Sequence, residues 1–238
     1  MMTEPKFEYQ FTPFGAIETA PLSNFQKVVS RRLARSWTEI PHVTHHDEID
    51  VTAMDAHRKA LGGAVKISPL IFLVKALAKV LGEFSSFNAS LSDDGKILVY
   101  KYYFNVGVIV DGPLGLLVPV LHDVDAKELV TLATELAALV AKVRDKGLPM
   151  SAMMGGCMTI SSLGGIGSTD STPIINQPEV AILGVTQSHI KPVREGETFQ
   201  PRLMMPLSLS YDHQVINGAD AARFVRRLGD LLASPSAL

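Results

Sequence analysis

The chain has 238 residues, 47% of them hydrophobic, which suits one large globular domain with a sizeable core. A net charge of −2 gives no electrostatic reason to expect nucleic acid or an anionic membrane surface as a partner. The single cysteine, Cys157, excludes an intrachain disulfide framework and fits a reducing compartment, and no apolar run reaches the ~18 residues of a membrane span. The opening Met-Met-Thr-Glu-Pro-Lys lacks the basic stretch and apolar core of a secretory signal, which leaves a bacterial cytoplasm or a mitochondrial matrix.

Residues 1–22 are Pro-rich and weakly patterned and are expected to form an N-terminal arm; residues 23–238 read as one domain. Phe25, Val28, Val29, Leu33 and Trp37 recur at three- and four-residue steps, predicting a helix over 23–39. His42 to Val51 suggests a strand, Met54 to Leu61 a short helix, and Pro69 to Phe84 a longer buried one. Strand-like runs follow at 97–101, 104–111 and 115–121. Lys127 to Lys146 is an amphipathic helix, with Asp125 as its expected cap and Gly147 as its stop. Further strands are expected at 156–162, 179–186 and 202–211, then a helix from Ala219 to Leu232. Strands interspersed with helices, some strand runs joined without a helix, predict an α/β fold: a two-layer sandwich on a mixed sheet.

The densest chemical signal lies near the C-terminus, in Ser210-Tyr211-Asp212-His213-Gln214-Val215-Ile216-Asn217-Gly218. Leu207-Ser208-Leu209-Ser210-Tyr211 alternates as a half-buried strand does, so His213 stands at a junction between strand and helix. A histidine held rigidly there can serve as a general base. Taken alone, such a histidine is more often a satisfied structural residue.

The pattern Asp-His, three residues, then Asp or Asn and Gly resembles the catalytic segment of the dihydrolipoamide acyltransferases, the core enzymes of 2-oxo acid dehydrogenase complexes. The resemblance extends through Pro41-His42-Val43-Thr44, Phe87-Asn88-Ala89-Ser90-Leu91 and Gly107-Val108-Ile109-Val110-Asp111. It continues through Gly115-Leu116-Leu117-Val118-Pro119-Val120, Thr159-Ile160-Ser161-Ser162-Leu163-Gly164, Pro173-Ile174-Ile175-Asn176 and Pro178-Glu179-Val180-Ala181-Ile182-Leu183-Gly184. These segments come in the family's order over most of the chain. They are most like the acetyl-transferring enzymes of pyruvate dehydrogenase complexes.

The resemblance implies a fold similar to chloramphenicol acetyltransferase, an obligate homotrimer with sites at the subunit boundaries, and 23–238 as the acyltransferase catalytic domain. Coenzyme A and dihydrolipoamide would be substrates, with no covalently bound cofactor and no metal. His213 would be the base and Ser161 the oxyanion donor, contributed across a subunit boundary. Asn217 stands where most members have Asp, and Gln214 where most have Arg. Losing both charges together is coherent, since removing one member of a buried ion pair costs roughly 3–5 kcal/mol. The two amides are expected to keep the hydrogen bonds. Arg58, Asn88, Ser90 and Lys101 would meet coenzyme A. Ser171, where acetyl-handling members carry an aromatic residue, and Leu183 would line the acyl and lipoyl pocket. Succinyl or branched-chain transfer is the alternative to acetyl.

No lipoylation site or long linker is present, so lipoyl domains are expected from other subunits of a complex or from a removed part of the chain. The ending Leu232-Ala233-Ser234-Pro235-Ser236-Ala237-Leu238 offers only Leu238 as an apolar anchor, so an isolated trimer is expected, with a larger cubic core as the alternative. Two rival functions stand: a free-standing acyltransferase of the chloramphenicol acetyltransferase type with a hydroxyl acceptor, and a non-catalytic scaffold subunit. Three other features read blandly. His45 and His46 would point to opposite faces of a strand and complete no tetrahedral set. Gly164-Gly165-Ile166-Gly167 lacks the ending of a phosphate loop and predicts a tight turn. The methionine pairs at 153–154 and 204–205 are expected to pack.

Overall fold

The computed structural model describes residues 11–62, 65–113 and 115–238. Of the N-terminal arm, residues 1–10 lie outside the described residues, and 11–22 are exposed throughout, with one turn of helix at Thr12–Phe14. The elements then run α1 (Asn24–Glu39), β1 (His42–Asp50), α2 (Thr52–Leu61), α3 (Pro69–Glu83), β2 (Ala89–Leu91) and β3 (Leu98–Tyr100). There follow β4 (Val106–Val108), β5 (Val110–Gly112), β6 (Gly115–Leu117), β7 (Val120–Leu121) and α4 (Leu129–Asp145). The chain closes with β8 (Met158–Ser162), β9 (Ala181–Val185), β10 (His189–Glu195), β11 (Thr198–Asp212) and α5 (Gly218–Ala233).

One sheet organises the molecule, in the order β1-β11-β9-β8-β4-β7, with β10 also paired to β11. β8 runs parallel to both β4 and β9, and the other pairs are antiparallel, so the sheet is mixed as expected. Side chains alternate across its two faces. Ile160, Leu183, Leu207, Leu209 and Tyr211 enter the main core with α3 and α5. Phe87 and Phe224 stack there at 4.1 Å, and Phe84 meets Phe224 edge-on at 5.6 Å. The opposite face is different in kind. In register across β1, β11, β9 and β8 it carries Thr44, His46, Ser208, Ser210, Gly184, Thr159 and Ser161. Only Ile182, with Ile40, Ile175 and Ile109, forms a small apolar cluster on that side. A polar face of this composition cannot be a second core.

Three sequence expectations are corrected. Asp125 does not cap α4; it lies in a tight turn, Val124–Ala126, and Glu128 is at the N-cap. The cause is Lys75, buried on α3, whose ammonium donates to the carbonyls of Val124, Asp125 and Lys127 at 3.2, 2.9 and 2.7 Å and delays the helix. β10 was not expected: six of its seven residues are exposed, so it has no buried face to produce alternation. Of the methionines, Met205 is buried and Met153 packs on the core, while Met154 is 61% exposed. Gly164–Gly167 is a turn, as predicted.

α1 forms where the apolar spacing predicts, capped by Ser23 and Gln26 in a reciprocal capping box. Phe25 packs against the core and Val29 is half-buried, but the rest of its apolar stripe is open. Val28 is 48%, Leu33 43% and Trp37 63% exposed, and only Ser36 is buried.

Candidate active site

β11 ends at Asp212, and the chain turns into α5 through His213–Asn217. The turn is pinned from several sides. Asp212 N–H donates to Val180 O at 2.9 Å, and the Asp212 carboxylate accepts from Gln214 N–H at 2.9 Å. Val215 and Ile216 N–H both return to Asp212 O. His213 N–H donates to Pro41 O at 3.1 Å, fixing its backbone against the entrance to β1. The His213 ring is solvent-exposed and leans on Tyr211, centroids 5.8 Å apart. This is a rigidly mounted imidazole facing outward.

Asn217 is the N-cap of α5. Its amide oxygen accepts from Asp220 N–H at 2.9 Å and its amide nitrogen donates to the Asp220 carboxylate at 2.7 Å. Both ends of the amide are thus used, and the expected Gln214–Asn217 amide pair is not formed.

Ser161 is half-buried on the polar face of β8 and pairs in register with Gly184 of β9, which pairs with Ser208 of β11. His213 therefore lies five residues along β11 from the level of Ser161 and two strands across. At ~3.3 Å per residue and ~4.8 Å per strand, that is on the order of 19 Å. One chain does not bring the two together.

Ser171 reaches the same face. A Cβ on Gly184 would stand 2.6 Å from Ser171 Oγ, so glycine is what lets Ser171 sit against the sheet one strand from Ser161. Its hydroxyl is buried without a hydrogen-bond partner. Leu183 points the other way. It is 0% exposed in the main core, which removes it from the pocket expectation, because alternation puts it on the face opposite Gly184.

The residues expected to meet coenzyme A divide. Arg58 lies on α2, half-buried, and holds Asp55 through two donors at 3.0 and 2.7 Å. Ser90 Oγ donates to Pro178 O at 2.6 Å. Asn88 is 1% exposed, and its amide nitrogen donates to the carbonyls of Lys101 and Tyr103 at 2.8 and 3.0 Å, which makes it a strut of the β3–β4 link. Lys101 is corrected more strongly: its ammonium is enclosed without a hydrogen-bond partner, and burial lowers its pKa. It offers no surface charge to a phosphate.

Residues not singled out from the sequence join the site. His42 locks the loop before β9 onto β1: Nδ1–H donates to Ile40 O at 2.9 Å and Nε2 accepts from Ile175 N–H at 3.0 Å. Glu179 is buried, with Oε1 accepting from Thr159 Oγ1 at 2.9 Å and Asn176 Nδ2 at 3.2 Å. A carboxylate inside Pro178-Glu179-Val180 carries no periodic signal, and only three-dimensional packing reveals it. A cleft of about 600 Å³ opens beside the strand end, among Arg32, Arg35, Asp93, Asp212 and Gln214. Another of about 920 Å³ lies among His46, Asp170, Gln187, His189 and Lys191. Neither is lined by His213 or Ser161. Among the described residues no group of three or more His, Cys, Asp or Glu is placed to hold a metal.

The model of the 2-oxoacid dehydrogenases acyltransferase catalytic domain matches residues 14–238. The chain belongs to this family. It is 52% identical over 95% of its length to the dihydrolipoyllysine-residue acetyltransferase component of the pyruvate dehydrogenase complex of Pseudomonas aeruginosa, and 51% identical over 96% to that of Azotobacter vinelandii. It spans 42% and 36% of the length of these two relatives. Among solved structures it is similar to the cubic core of a pyruvate dehydrogenase multienzyme complex, with TM-score 0.92 and 49% identity over all of this chain and 99% of the other. A second structure concerns the role of a serine, a histidine and an asparagine in the catalytic mechanism of Azotobacter vinelandii dihydrolipoamide acetyltransferase. It has TM-score 0.92 and 48% identity over 100% of this chain and 99% of that one. In that enzyme the histidine follows the serine by 52 residues and the asparagine follows the histidine by 4. Chloramphenicol acetyltransferase shares the fold at TM-score 0.59 and 16% identity.

Proposed function

We propose that this domain transfers an acyl group, acetyl in the first instance, between dihydrolipoamide and coenzyme A in a pyruvate dehydrogenase complex. The observation that carries the reading is positional. Ser161, His213 and Asn217 have the same 52- and 4-residue spacings as the serine, histidine and asparagine of the Azotobacter vinelandii enzyme.

In the proposed mechanism His213 takes the proton from the attacking thiol, whose unperturbed pKa is about 8.5. The thiolate adds to the thioester carbonyl. Ser161 Oγ–H donates to the oxyanion of the tetrahedral intermediate. Collapse expels the second thiolate, which takes back the proton from His213. Direct transfer needs no acyl-enzyme and no metal. Asn217 contributes by capping α5 and so holding the turn that carries His213. Arg58, half-buried on α2 and paired with Asp55, is the cation proposed for a coenzyme A phosphate.

The ~19 Å between Ser161 and His213 supports a site shared by two copies. The uncovered α1 stripe of Val28, Leu33 and Trp37 supports the same conclusion, since contiguous exposed apolar surface marks an interface. A homotrimer is the smallest assembly proposed. The likeness to a cubic core supports trimers as its building block, in company with lipoyl domains and the other subunits of a complex. Leu238 itself packs against the core of its own chain, so it is not a free anchor for a neighbouring trimer. Light scattering at micromolar concentration is expected to give three chains or a multiple of three; a fully active monomer would overturn the shared site. The bacterial sources of the relatives support a cytoplasmic setting.

The deciding assay follows thioester exchange between acetyl-coenzyme A and free dihydrolipoamide. Formation of S-acetyldihydrolipoamide is the expected result. A correctly assembled protein with no transfer of any acyl group would sink the reading and leave a scaffold role.

Ser171 is proposed to face the acyl group. Ser171→Phe narrows the pocket and shifts preference from larger acyl groups toward acetyl. One or two carbons are worth only ~1–3 kcal/mol, so the shift is partial. An unchanged ratio of acetyl to succinyl transfer would place Ser171 away from the acyl group.

A further inference from the structure

Four buried side-chain atoms among the described residues lack a hydrogen-bond partner: Asn88 Oδ1, Lys101 Nζ, Ser171 Oγ and Glu179 Oε2. Two of them are charged groups that act on each other. Glu179 is 4% exposed, and burial pushes its pKa up to about 7 against the hydrogen bond from Thr159 and the charge of Lys101, which draw it down. The remaining ionisable neighbour is the buried thiol of Cys157, which faces Lys101 and Glu179 from the start of β8 and is itself raised by burial. A buried acid and a buried amine facing one another without a direct bond are costly unless they serve one another.

The placement of Glu179 links both halves of the site. Oε1 holds Thr159, which lies two residues before Ser161 on the same face of β8. The same oxygen holds Asn176, in the segment that leads from Ser171 to β9. The adjacent carbonyl, Val180 O, takes the N–H of Asp212, the residue before His213. The chain also makes room for the carboxylate. A Cβ on Gly156 would stand 2.8 Å from Glu179 Oε1, so only glycine fits there without displacing it.

We infer that Glu179 is a positioning residue for acyl transfer, its ionised carboxylate drawn between Thr159 and Asn176 on one side and the Lys101 ammonium on the other, so that Ser161 is held at the height the oxyanion requires. The inference rests on the acyltransferase reading. In the neutral form Oε1 still accepts from Thr159, but Oε2 carries a proton and no longer attracts Lys101. The register of β8 against the 171–180 segment then loosens. Small displacements of this kind act on kcat, since misplacement of about 1 Å can lower rates by up to ~100-fold.

The test compares Glu179→Gln with the wild-type protein, both as the full assembly, with acetyl-coenzyme A and dihydrolipoamide from pH 5.5 to 8.5. The glutamine keeps an acceptor for Thr159 and cannot ionise. At pH 8 its kcat is expected to be about tenfold below wild type with KM little changed; at pH 5.5, where wild-type Glu179 is also neutral, the two converge. Any pH dependence that does not pass through residue 179 is common to both proteins and cancels in the ratio. Lys101→Met removes the charge that favours ionised Glu179, so the rise in the wild-type-to-Gln ratio has a counterpart displaced to higher pH in that variant. A ratio flat with pH, or Glu179→Gln equal to wild type throughout, overturns the inference.

A second readout does not depend on catalysis. A raised carboxyl pKa contributes stability that is full below the unfolded value, near 4.5, and is lost as pH rises through about 7. Wild-type stability is therefore expected to fall relative to Glu179→Gln across that window. The same offset at every pH would show that Glu179 does not titrate there. A wild-type protein without acyl transfer would instead overturn the proposed function, and the stability comparison would still decide whether Glu179 ionises.

Discussion

His213→Ala is expected to lower acyl transfer between coenzyme A and dihydrolipoamide by about 100-fold or more while leaving the assembly folded. The rate effect follows from the role. Without a base, attack relies on the small fraction of thiol ionised at neutral pH, and the leaving thiolate has no positioned acid. The unchanged fold follows from the geometry. His213 is tied into the structure by its backbone N–H to Pro41 O and by the turn bonds of Asp212, all of which alanine retains. Its ring is exposed, and substitutions at such positions usually change stability by no more than about 0.5 kcal/mol. The measurement is single-time-point thioester exchange beside a thermal melt. Near-normal turnover in a folded variant would remove His213 from the role of base.

The elements legible in the sequence are those with apolar side chains on the core. α5 buries a stripe, and its periodicity records it. α3 is buried nearly all round and is marked by its continuous apolar run, and β11 is marked by alternation of residue type although residues 205–212 are all buried. β10 was illegible because exposure on nearly every residue erases alternation. The start of α4 was illegible because it is set by Lys75, about fifty residues earlier in the chain, through bonds to backbone that no local pattern encodes. α1 was legible as a helix and misleading as a core element, since Phe25 packs on the core while Val28, Leu33 and Trp37 of the same stripe stay exposed.

The candidate site divides on the same physical lines. His213 and Ser161 could be singled out by motif. Lys101 reads as a surface cation because lysine almost always is one. Its burial beside Glu179 depends on the β3–β4 link folding over the start of β8, a contact far apart in sequence. Leu183 and Ser171 were grouped as pocket residues, yet strand parity sends Leu183 to the core while Ser171 reaches the other face by way of Gly184. Thr44, Ser161, Ser208 and Ser210 share that face, and sequence alternation at 207–211 already contains its polar half. The alternation predicts a half-buried strand and is wrong on that point, because Ser208 and Ser210 are buried as well.

Ser161→Ala is expected to reduce kcat by roughly 100-fold or more with little change in KM, because the hydroxyl acts on charge present only in the transition state. A pure KM effect would make Ser161 a binding residue. The same variant yields a sharper test when combined with His213→Ala. If each site takes its serine from one copy and its histidine from another, as the ~19 Å separation within one chain requires, the two inactive proteins complement one another. Chains of the two kinds, unfolded and reassembled together in equal amounts, form interfaces at random. About a quarter of the interfaces then pair an intact Ser161 with an intact His213, and about a quarter of wild-type activity returns. Each variant reassembled alone stays inactive. A mixture that recovers nothing, in assemblies shown by size to be complete, would place both residues' work within a single chain.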